Sequence, residues 1–239
     1  MSDYASAYAD FSWNDARQLI DGLPDGGFNI AHEALERHVN AGHGAQIALR
    51  WIAKNGERTD FTYEELSQLT NRLANVLRSR GLKKGARVYT LLGRTHKLYI
   101  EALGTLKAGC VFCPLFSAFG PEPIHSRMEI GGANALVTSS RLYNRKIKAL
   151  RGTLPELNTV FLTDADADGC ESLAALMNAA SDDFTTERME LEDKALLHFT
   201  SGTTGKPKGV VHVHEAVVAH HMTGRIALDL KPGDSYWCT

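Results

Sequence analysis

Strand-like and helix-like segments alternate along this chain of 239 residues from about position 87 onward. Short apolar runs are typical of buried strands, and apolar residues spaced three or four apart are typical of helices. The predicted strands cover residues 87–92, 110–115, 135–138, 159–163, 195–199 and 210–213, and the predicted helices cover 95–108, 121–130, 142–150, 173–179 and 214–228. Because parallel strands need a crossover that is usually helical, this pattern predicts an α/β fold of mostly parallel sheets covered by helices on both faces.

Turn and capping signals define the elements before residue 87. Asn55 and Gly56 favour a tight hairpin turn. Thr62 and Glu65 have the spacing of a capping box, in which each side chain satisfies a free amide at the start of a helix, and Gly81 ends that helix. The sequence also predicts a short helix over 29–39 and strands over 46–53 and 59–62.

A loop rich in glycine, hydroxyl and lysine residues spans positions 198–209, with the sequence His-Phe-Thr-Ser-Gly-Thr-Thr-Gly-Lys-Pro-Lys-Gly. Glycine lets backbone amides approach a ligand closely, hydroxyl groups donate hydrogen bonds, and lysine adds positive charge. The loop therefore predicts a site for an anion, most simply a polyphosphate. It does not fit the nucleotide P-loop pattern, because Pro207 stands five positions after Gly202, where that pattern needs a second glycine.

Overall charge and hydropathy exclude several classes of function. A formal net charge of -2 provides no electrostatic case for binding nucleic acid or an anionic membrane. The longest uncharged stretch, residues 108–121, is broken by glycine and proline and is too short to span a bilayer. Residues 1–33 are acidic and lack the apolar block of a secretory signal, so we expect a cytoplasmic protein.

Cys110 and Cys113 form a CxxC sequence, which is compatible with redox or zinc chemistry. The chain has no second CxxC, and this pair lies in the apolar run 109–116. The pattern therefore favours buried thiols that act as small apolar side chains.

Three aspartates, Asp164, Asp166 and Asp168, reproduce with Gly169 the opening of an EF-hand calcium loop. The twelfth position should be a bidentate glutamate but is Ala175, and the preceding segment is predicted as a strand instead of a helix. We therefore predict a solvated acidic turn.

Histidines are concentrated in the glycine-rich loop and the segment after it, at His198, His212, His214, His220 and His221. None has the paired helical spacing with an acidic ligand that is typical of catalytic zinc, so no metal site is predicted. For His212 and His214 the sequence leaves two interpretations open, a position near a bound nucleotide and ordinary packing.

Residues 198–209 resemble the signature of the adenylate-forming enzymes, the superfamily of acyl-CoA synthetases, luciferases and peptide-synthetase adenylation domains. Within that superfamily the chain looks most like the AMP-forming acetyl-CoA synthetase (acetate-CoA ligase) branch from about Tyr8 onward. The segments that carry this likeness are 114–122 (Pro-Leu-Phe-Ser-Ala-Phe-Gly-Pro-Glu), 209–216 (Gly-Val-Val-His-Val-His-Glu-Ala) and 228–239 (Leu-Asp-Leu-Lys-Pro-Gly-Asp-Ser-Tyr-Trp-Cys-Thr).

The resemblance implies an acid-thiol ligase that uses ATP, Mg2+ and coenzyme A to activate acetate or another small carboxylic acid. By resemblance the β- and γ-phosphates of ATP are surrounded by Thr200, Ser201, Gly202, Thr203, Thr204, Gly205 and Lys208, while Lys206 is a solvated charge. The coenzyme A entrance lies near 116–119, which contains Ser117 and Ala118. Arg141 or Arg145 faces the nucleotide of the coenzyme, or else both are exposed helix charges.

Residues 1–28 are predicted to form an irregular, acidic N-terminal arm, which aromatic side chains at Tyr4, Tyr8, Phe11 and Trp13 anchor to its own domain. The best linker candidate is 181–193, but we do not divide the chain there. Family members are more than twice as long as this chain, so the resemblance implies a partial N-terminal AMP-binding domain over 29–239. The adenylation lysine, the adenine and acid pockets and the C-terminal domain are expected beyond residue 239, so no catalytic residue is assigned. The expected association is with that missing half or in a homo-oligomer. The alternatives are a non-catalytic nucleotide-binding or assembly module and, disfavoured by the failed P-loop spacing, a phosphotransferase.

We predict that the 239-residue polypeptide alone does not complete either half-reaction, because the groups that hold adenine, acid and the reacting phosphorus are expected elsewhere. The measurement is acyl-CoA formation from acetate, ATP and coenzyme A by the purified chain. Appreciable product would contradict this prediction.

Overall fold

The computed structural model describes residues 8–200 and 206–237. The strands are β1 (Ile47–Ile52), β2 (Arg58–Thr62), β3 (Arg87–Leu91), β4 (Val111–Pro114), β5 (Ala135–Thr138), β6 (Thr159–Leu162), β7 (Glu171–Ser172), β8 (Lys194–Thr200) and β9 (Lys208–Val213). The α-helices are α1 (Trp13–Arg17), α2 (Tyr63–Ser79), α3 (Lys97–Lys107), α4 (Pro121–Ile130), α5 (Ser140–Lys146), α6 (Leu173–Ala179) and α7 (Ala216–Met222). None of the helices in the described ranges is long and apolar enough to span a membrane.

The main sheet has the strand order β7-β6-β5-β3-β4-β8-β9. Neighbouring strands are parallel except for β8 and β9, which pair antiparallel. Strands β1 and β2 form a separate antiparallel hairpin around the predicted turn at Asn55 and Gly56. The predicted α/β fold with a mostly parallel sheet is therefore confirmed.

The chain leaves β3 and β5 in opposite directions across the sheet. Strand β4 lies on one side of β3, whereas β6 lies on the far side of β5. Because the connections that follow β3 and β5 diverge, a crevice opens between them at their carboxyl ends. Open α/β sheets bind ligands at such a crevice, so the topology places a candidate site here before any side chain is considered.

Both faces of the parallel part of the sheet are buried, whereas Val210 and Val211 of the edge strand β9 are exposed. Alternate residues of each strand point to opposite faces. On one face, Val88 and Phe161 belong to an apolar cluster with Leu73 of α2. On the other face, Tyr89 packs in a second cluster with Ile124 of α4. Helices α2 and α6 thus cover one face, and α4 and α5 cover the other.

The predicted capping box at the start of α2 is present. The backbone N–H of Glu65 donates to Thr62 Oγ1 at 3.2 Å, and the backbone N–H of Thr62 donates to Glu65 Oε2 at 2.8 Å. After the helix, Gly81 has a φ of 75°, which places it in the left-handed region that favours glycine. Both ends of this helix were therefore predicted correctly from local signals.

Two predicted helices differ in extent from the observed ones. The helix predicted over 142–150 runs instead over Ser140–Lys146, because the hydroxyl of Ser139 accepts from the Leu142 N–H at 3.3 Å and starts the helix early. A 3₁₀ turn at Arg151–Thr153 then follows. The helix predicted over 214–228 consists of α7 and a π-helical turn at Thr223–Ala227.

The helix predicted over 29–39 begins as expected but has a different form. The side-chain oxygen of Asn29 accepts from the Ala31 N–H at 2.8 Å. The turns that follow, His32–Glu36 and Val39–His43, are π-helical. The side-chain amide of Asn29 also donates to the carbonyls of Leu106 and Glu187, both at 2.9 Å, so the start of this segment is tied to the body of the sheet.

The N-terminal arm was predicted to be irregular, yet its described part contains the short helix α1. Arg17 at the end of α1 forms an ion pair with Glu215, just before α7. Ala16 is buried at 2% exposure, whereas Phe11 and Trp13 remain 37% and 54% exposed. The arm is therefore attached through Ala16 and the ion pair more than through its aromatic rings; Tyr4 lies outside the described residues.

Residues 181–193, the best linker candidate in the sequence, pack against α2. The side-chain amide of Asn75 donates to the carbonyls of Ser181 and Asp183 at 2.8 and 2.9 Å. Arg72 forms an ion pair with Asp182 at 2.8 Å. These contacts hold the segment in place, in agreement with our not dividing the chain there.

Two charged side chains of α3 are buried beneath the sheet. Lys107 is fully buried, donates to Asn71 Oδ1 at 2.6 Å and forms an ion pair with Glu36 of the N-terminal segment. Glu101 is 2% exposed and accepts a hydrogen bond from the hydroxyl of Thr90, while its Oε1 atom has no hydrogen-bond partner among the described residues. Burial raises the pKa of Glu101 well above its ordinary value.

We predict that Glu101→Gln stabilises the fold, and more so at higher pH. Because the folded-state pKa of Glu101 lies above its unfolded value of 4.5, the stability that the wild type has below pH 4.5 is lost as the pH rises through the raised pKa. A glutamine keeps the shape without this loss. The free energy of unfolding from urea titrations at several pH values measures the difference.

The matched control is Glu192→Gln, which removes an exposed carboxylate. A constant difference between Glu101→Gln and wild type across the pH series would argue against this prediction.

Candidate functional site

Loops that follow four parallel strands meet at the carboxyl edge of the sheet. Three of them, after β3, β4 and β5, surround an open cleft of about 350 Å³ at the crevice that the topology creates. The cleft is lined by Gly93, Ser117, Ser139, Arg141, Leu142, Arg145 and Lys146. The structure therefore brings together Ser117, Arg141 and Arg145, which the resemblance associates with the coenzyme A entrance.

Positive charge dominates the described lining of this cleft. Arg141 and Arg145 are four residues apart on α5, so they lie on the same side of that helix. Both are exposed, and neither side chain forms an ion pair or a hydrogen bond in the described part of the chain. Most other described arginines are paired with carboxylates, as Arg87 is with Glu156. An uncompensated pair of guanidinium groups is suited to an anionic ligand such as a phosphate.

Lys146 anchors the loop that forms the opposite wall. Its ammonium group donates to the carbonyl oxygens of Ser117 at 2.5 Å and Phe119 at 2.6 Å. The sequence analysis missed this residue, because a lysine at the end of a helix is indistinguishable from an ordinary surface charge. Ala118 belongs to the same loop and is exposed, although it does not line the cleft.

The glycine-rich loop joins β8 to β9 at the same edge of the sheet. Thr200 ends β8, Lys208 begins β9, and the two are paired across the antiparallel ladder. Lys208 thus lies in the strand, two residues before the predicted strand start. The other residues predicted to bind phosphate, Ser201, Gly202, Thr203, Thr204 and Gly205, lie outside the described residues.

Both lysines around this loop are exposed. In the described ranges neither Lys206 nor Lys208 forms an ion pair or a side-chain hydrogen bond. Because β4 lies between β3 and β8, the loop after β4 separates this hairpin from the arginine cleft. The arrangement offers two cationic regions on one edge, with the Ser117 loop between them.

Three histidines form a row beside the hairpin. The ring centroids of His198 and His212 are 5.9 Å apart, and those of His212 and His220 are 6.3 Å apart. Burial and the neighbouring His212 lower the pKa of His198. Within residues 8–200 and 206–237, no group of three or more His, Cys, Asp or Glu side chains is arranged to hold a metal ion. The role of His212 near a nucleotide stays a prediction.

His214, by contrast, has a packing role. It is fully buried, and its Nδ1 atom accepts from the Ile30 N–H at 3.1 Å, so it caps the start of the N-terminal helical segment. Burial lowers the pKa of His214 from 6.5 to about 4, against the opposing effect of Asp193. Lys84, which forms an ion pair with Asp193 at 2.7 Å, adds to the lowering.

The structure places the cysteine pair in the apolar core and the three aspartates of the acidic turn at the surface. Cys110 and Cys113 are fully buried free thiols, and burial raises the pKa of Cys110 to about 12. Such thiols are poor nucleophiles and metal ligands. In the acidic turn, Asp164 accepts from the backbone N–H of Ser140 at 2.8 Å and from its hydroxyl at 3.2 Å, so it binds the start of α5.

Comparisons with known proteins agree on one family. The family model described as "AMP-binding enzyme" matches residues 35–239. The acetyl-coenzyme A synthetase of Bacillus subtilis is 36% identical over all of this chain and 42% of its own length, and that of Halorhodospira halophila is 32% identical over 95% of this chain and 38% of its own length. A crystal structure of a Brucella canis acyl-CoA synthetase matches with a TM-score of 0.86 and 31% identity, covering 99% of this chain and 43% of that one. The chain therefore spans about two fifths of the length of these relatives.

We expect His214 to make the fold sensitive to mild acid. Because its folded-state pKa of about 4 lies below the unfolded value of 6.5, the neutral ring contributes stability above pH 6.5 that is lost as the pH falls towards 4. The loss over this window is on the order of 3 kcal/mol. His214→Asn keeps an acceptor for the Ile30 N–H but does not titrate, so its free energy of unfolding should depend less on pH.

Urea titrations from neutral pH down to about pH 4 measure this dependence. His43→Asn, which replaces an exposed histidine, is the matched control. An unchanged pH profile in His214→Asn would show that another group is responsible.

Proposed function

We propose that this chain, which belongs to the AMP-binding enzyme family, forms the ATP-phosphate and coenzyme A regions of an AMP-forming acyl-CoA synthetase for acetate or another small carboxylic acid. The proposal rests on the position of the hairpin and the arginine cleft at one edge of the sheet. The β8–β9 hairpin and the arginine cleft open on the same side of the sheet, where parallel strands end. Such an edge suits two polyphosphate groups whose reacting ends must meet.

Two half-reactions follow from this assignment. A carboxylate oxygen attacks the α-phosphorus of ATP, and the bond from that phosphorus to the bridging oxygen breaks, which yields an acyl-adenylate and pyrophosphate. The thiol of coenzyme A then loses its proton and attacks the acyl carbon, and the bond from that carbon to the AMP oxygen breaks. The products are a thioester and AMP.

The hairpin stabilises the leaving pyrophosphate in this proposal. Negative charge accumulates on pyrophosphate as it leaves, and fixed donors and cations stabilise it most effectively. Thr200 offers a hydroxyl at the end of β8, and residues 201–205 add backbone amides. Lys208 adds a cation that has no competing carboxylate in the described part of the chain. The strand pairing of Thr200 with Lys208 holds the two ends of the loop together.

The arginine cleft binds the nucleotide part of coenzyme A in this proposal. Arg141 and Arg145 face its phosphates, and Ser117 and Ala118 lie at the entrance through which the thiol reaches the adenylate. Guanidinium groups match phosphate oxygens in geometry and charge. Lys146 contributes by holding the Ser117 loop in place.

Mg2+ is expected to arrive with the phosphates of ATP. Within the described residues, no group of three or more His, Cys, Asp or Glu side chains is arranged to hold a metal ion. The chain covers about two fifths of its relatives, and the groups that bind adenine and acid are assigned to the remainder. The comparisons do not favour the non-catalytic module. The cytoplasmic location, the homo-oligomer and the inactivity of the chain by itself remain predictions.

We predict that Lys208→Ala, made in the complete enzyme, slows adenylate formation by about a hundred-fold while it weakens acid binding far less, because the lysine acts on charge that develops in the transition state. The measurement is the acid-dependent exchange of pyrophosphate into ATP, followed as a function of acid concentration.

Lys206→Ala is the matched control, since it removes an exposed lysine two residues away. Equal effects of Lys208→Ala on exchange rate and acid affinity, or equal effects of the two variants, would contradict the role of Lys208. Exchange that does not depend on the acid would contradict adenylation.

A further inference from the structure

Arg94 is an unpaired arginine next to the cleft that neither the sequence analysis nor the comparisons assign. It follows Gly93, which lines the cleft, in the loop after β3. Arg94 is exposed, and its side chain forms no ion pair or hydrogen bond within the described ranges. Only Arg141, Arg145 and Arg225 share this condition among the arginines that the structure describes. Two of these three line the cleft.

The backbone of Arg94 is held from the side of the β1–β2 hairpin. The indole N–H of Trp51, on β1, donates to the carbonyl oxygen of Arg94 at 3.3 Å. Two residues further on, the ring of His96 packs against Trp51 and Phe61, with both centroid distances at 5.2 Å. The hairpin therefore fixes the loop in the region where it passes the cleft.

The polar side chains of His96 and Lys97, which follow Arg94, make other contacts. The ammonium group of Lys97 donates to the carbonyl oxygen of Thr163 at 2.8 Å, so it already has a hydrogen-bond partner. Burial, together with the neighbouring charge of Lys97, lowers the pKa of His96, whose ring packs against the two aromatic residues. Arg94 is thus the unpaired cation of the loop within the described chain. A backbone held this firmly reduces the entropy that its side chain loses on binding a ligand.

We infer that Arg94 is a third cation of the cleft, positioned by Trp51, and that it binds phosphate groups of the coenzyme A nucleotide together with Arg141 and Arg145. The inference rests on the proposed function, because that proposal assigns the cleft to coenzyme A. Trp51 is a positioning residue, since it acts through the backbone of Arg94. Arg141 and Arg145 line the cleft, and Arg94 stands one residue beyond its lining, after Gly93. A third guanidinium group at this position matches a ligand that carries both a diphosphate and a 3′-phosphate.

The test is the affinity of the complete enzyme for coenzyme A, measured by calorimetry. We expect Arg94→Gln to weaken binding roughly ten-fold, as for the loss of one charge-assisted hydrogen bond. Trp51→Phe keeps an aromatic ring against His96 but removes the N–H donor, and we expect it to weaken binding about three-fold. In the double variant the two effects should not add, because Trp51 acts only through Arg94.

Two controls separate binding from folding. Arg225→Gln removes another exposed, unpaired arginine, which lies in the turn after α7 away from the cleft, and should bind coenzyme A like the wild type. The free energy of unfolding of every variant is measured in parallel. Dephospho-coenzyme A serves as a second probe: a smaller effect of Arg94→Gln with this probe assigns Arg94 to the 3′-phosphate, and an equal effect assigns it to the diphosphate.

Failure of the inference can be distinguished from failure of the proposed function. If Arg141→Gln or Arg145→Gln weakens binding while Arg94→Gln does not, the cleft assignment stands and the role of Arg94 is wrong. Additive effects of Arg94→Gln and Trp51→Phe would overturn the positioning role of Trp51. If none of the three variants Arg94→Gln, Arg141→Gln and Arg145→Gln weakens the binding of coenzyme A by the complete enzyme, the cleft assignment fails and the inference fails with it.

Discussion

Burial of both faces of the parallel sheet is the constraint on which the rest of the structure depends. Strands that are covered on both sides must be apolar along their length, so polar groups for binding are confined to the loops at strand ends. Parallel pairing then brings the carboxyl ends of β3, β4, β5 and β8 to one edge. Residues as distant in sequence as Gly93 and Thr200 therefore lie along the same edge of one sheet.

Charge is distributed unequally between the body of the molecule and this edge. On the body, most of the described arginines are held by carboxylates, as Arg80 is by Glu171, although Arg225 has no such partner among the described residues. At the edge, Arg94, Arg141 and Arg145 have no such partners among the described residues. Exposed cations cost little free energy when unpaired, because water solvates them, yet several together create a local field that attracts a polyanion. The near-neutral chain thus carries a local basic region that its net charge conceals.

Buried polar contacts attach the N-terminal segment to this sheet. Lys107 of α3 meets Glu36, His214 accepts from Ile30, and Asn29 donates to two carbonyls of the body. Removing one partner of such a contact leaves a buried polar group unsatisfied, which costs more than the contact contributes when it is intact. Residues 29–43 are consequently part of the same cooperative unit as the sheet.

Local chemistry was sufficient for much of the fold. The capping box of Thr62 and Glu65 acts within four residues. The apolar runs indicated the strands, because a strand that is buried on both faces must be apolar along its length. Errors arose where a cap lies outside the apolar pattern, as Ser139 does, and where a helix changes to π-helical turns. For the site, Ser117, Arg141 and Arg145 were selected from the sequence and do meet in one cleft.

The sequence by itself thus determined the class of fold, most of its elements and the composition of the glycine-rich loop, since each depends on residues close together in the chain. Tertiary structure decided which loops meet at the crevice between β3 and β5, that Lys146 holds the Ser117 loop and that Trp51 holds Arg94. It also decided which cations are left unpaired: Arg17 is neutralised by Glu215, 198 positions away. Such pairings depend on the way the whole chain packs. They have no local sequence pattern from which they could be predicted.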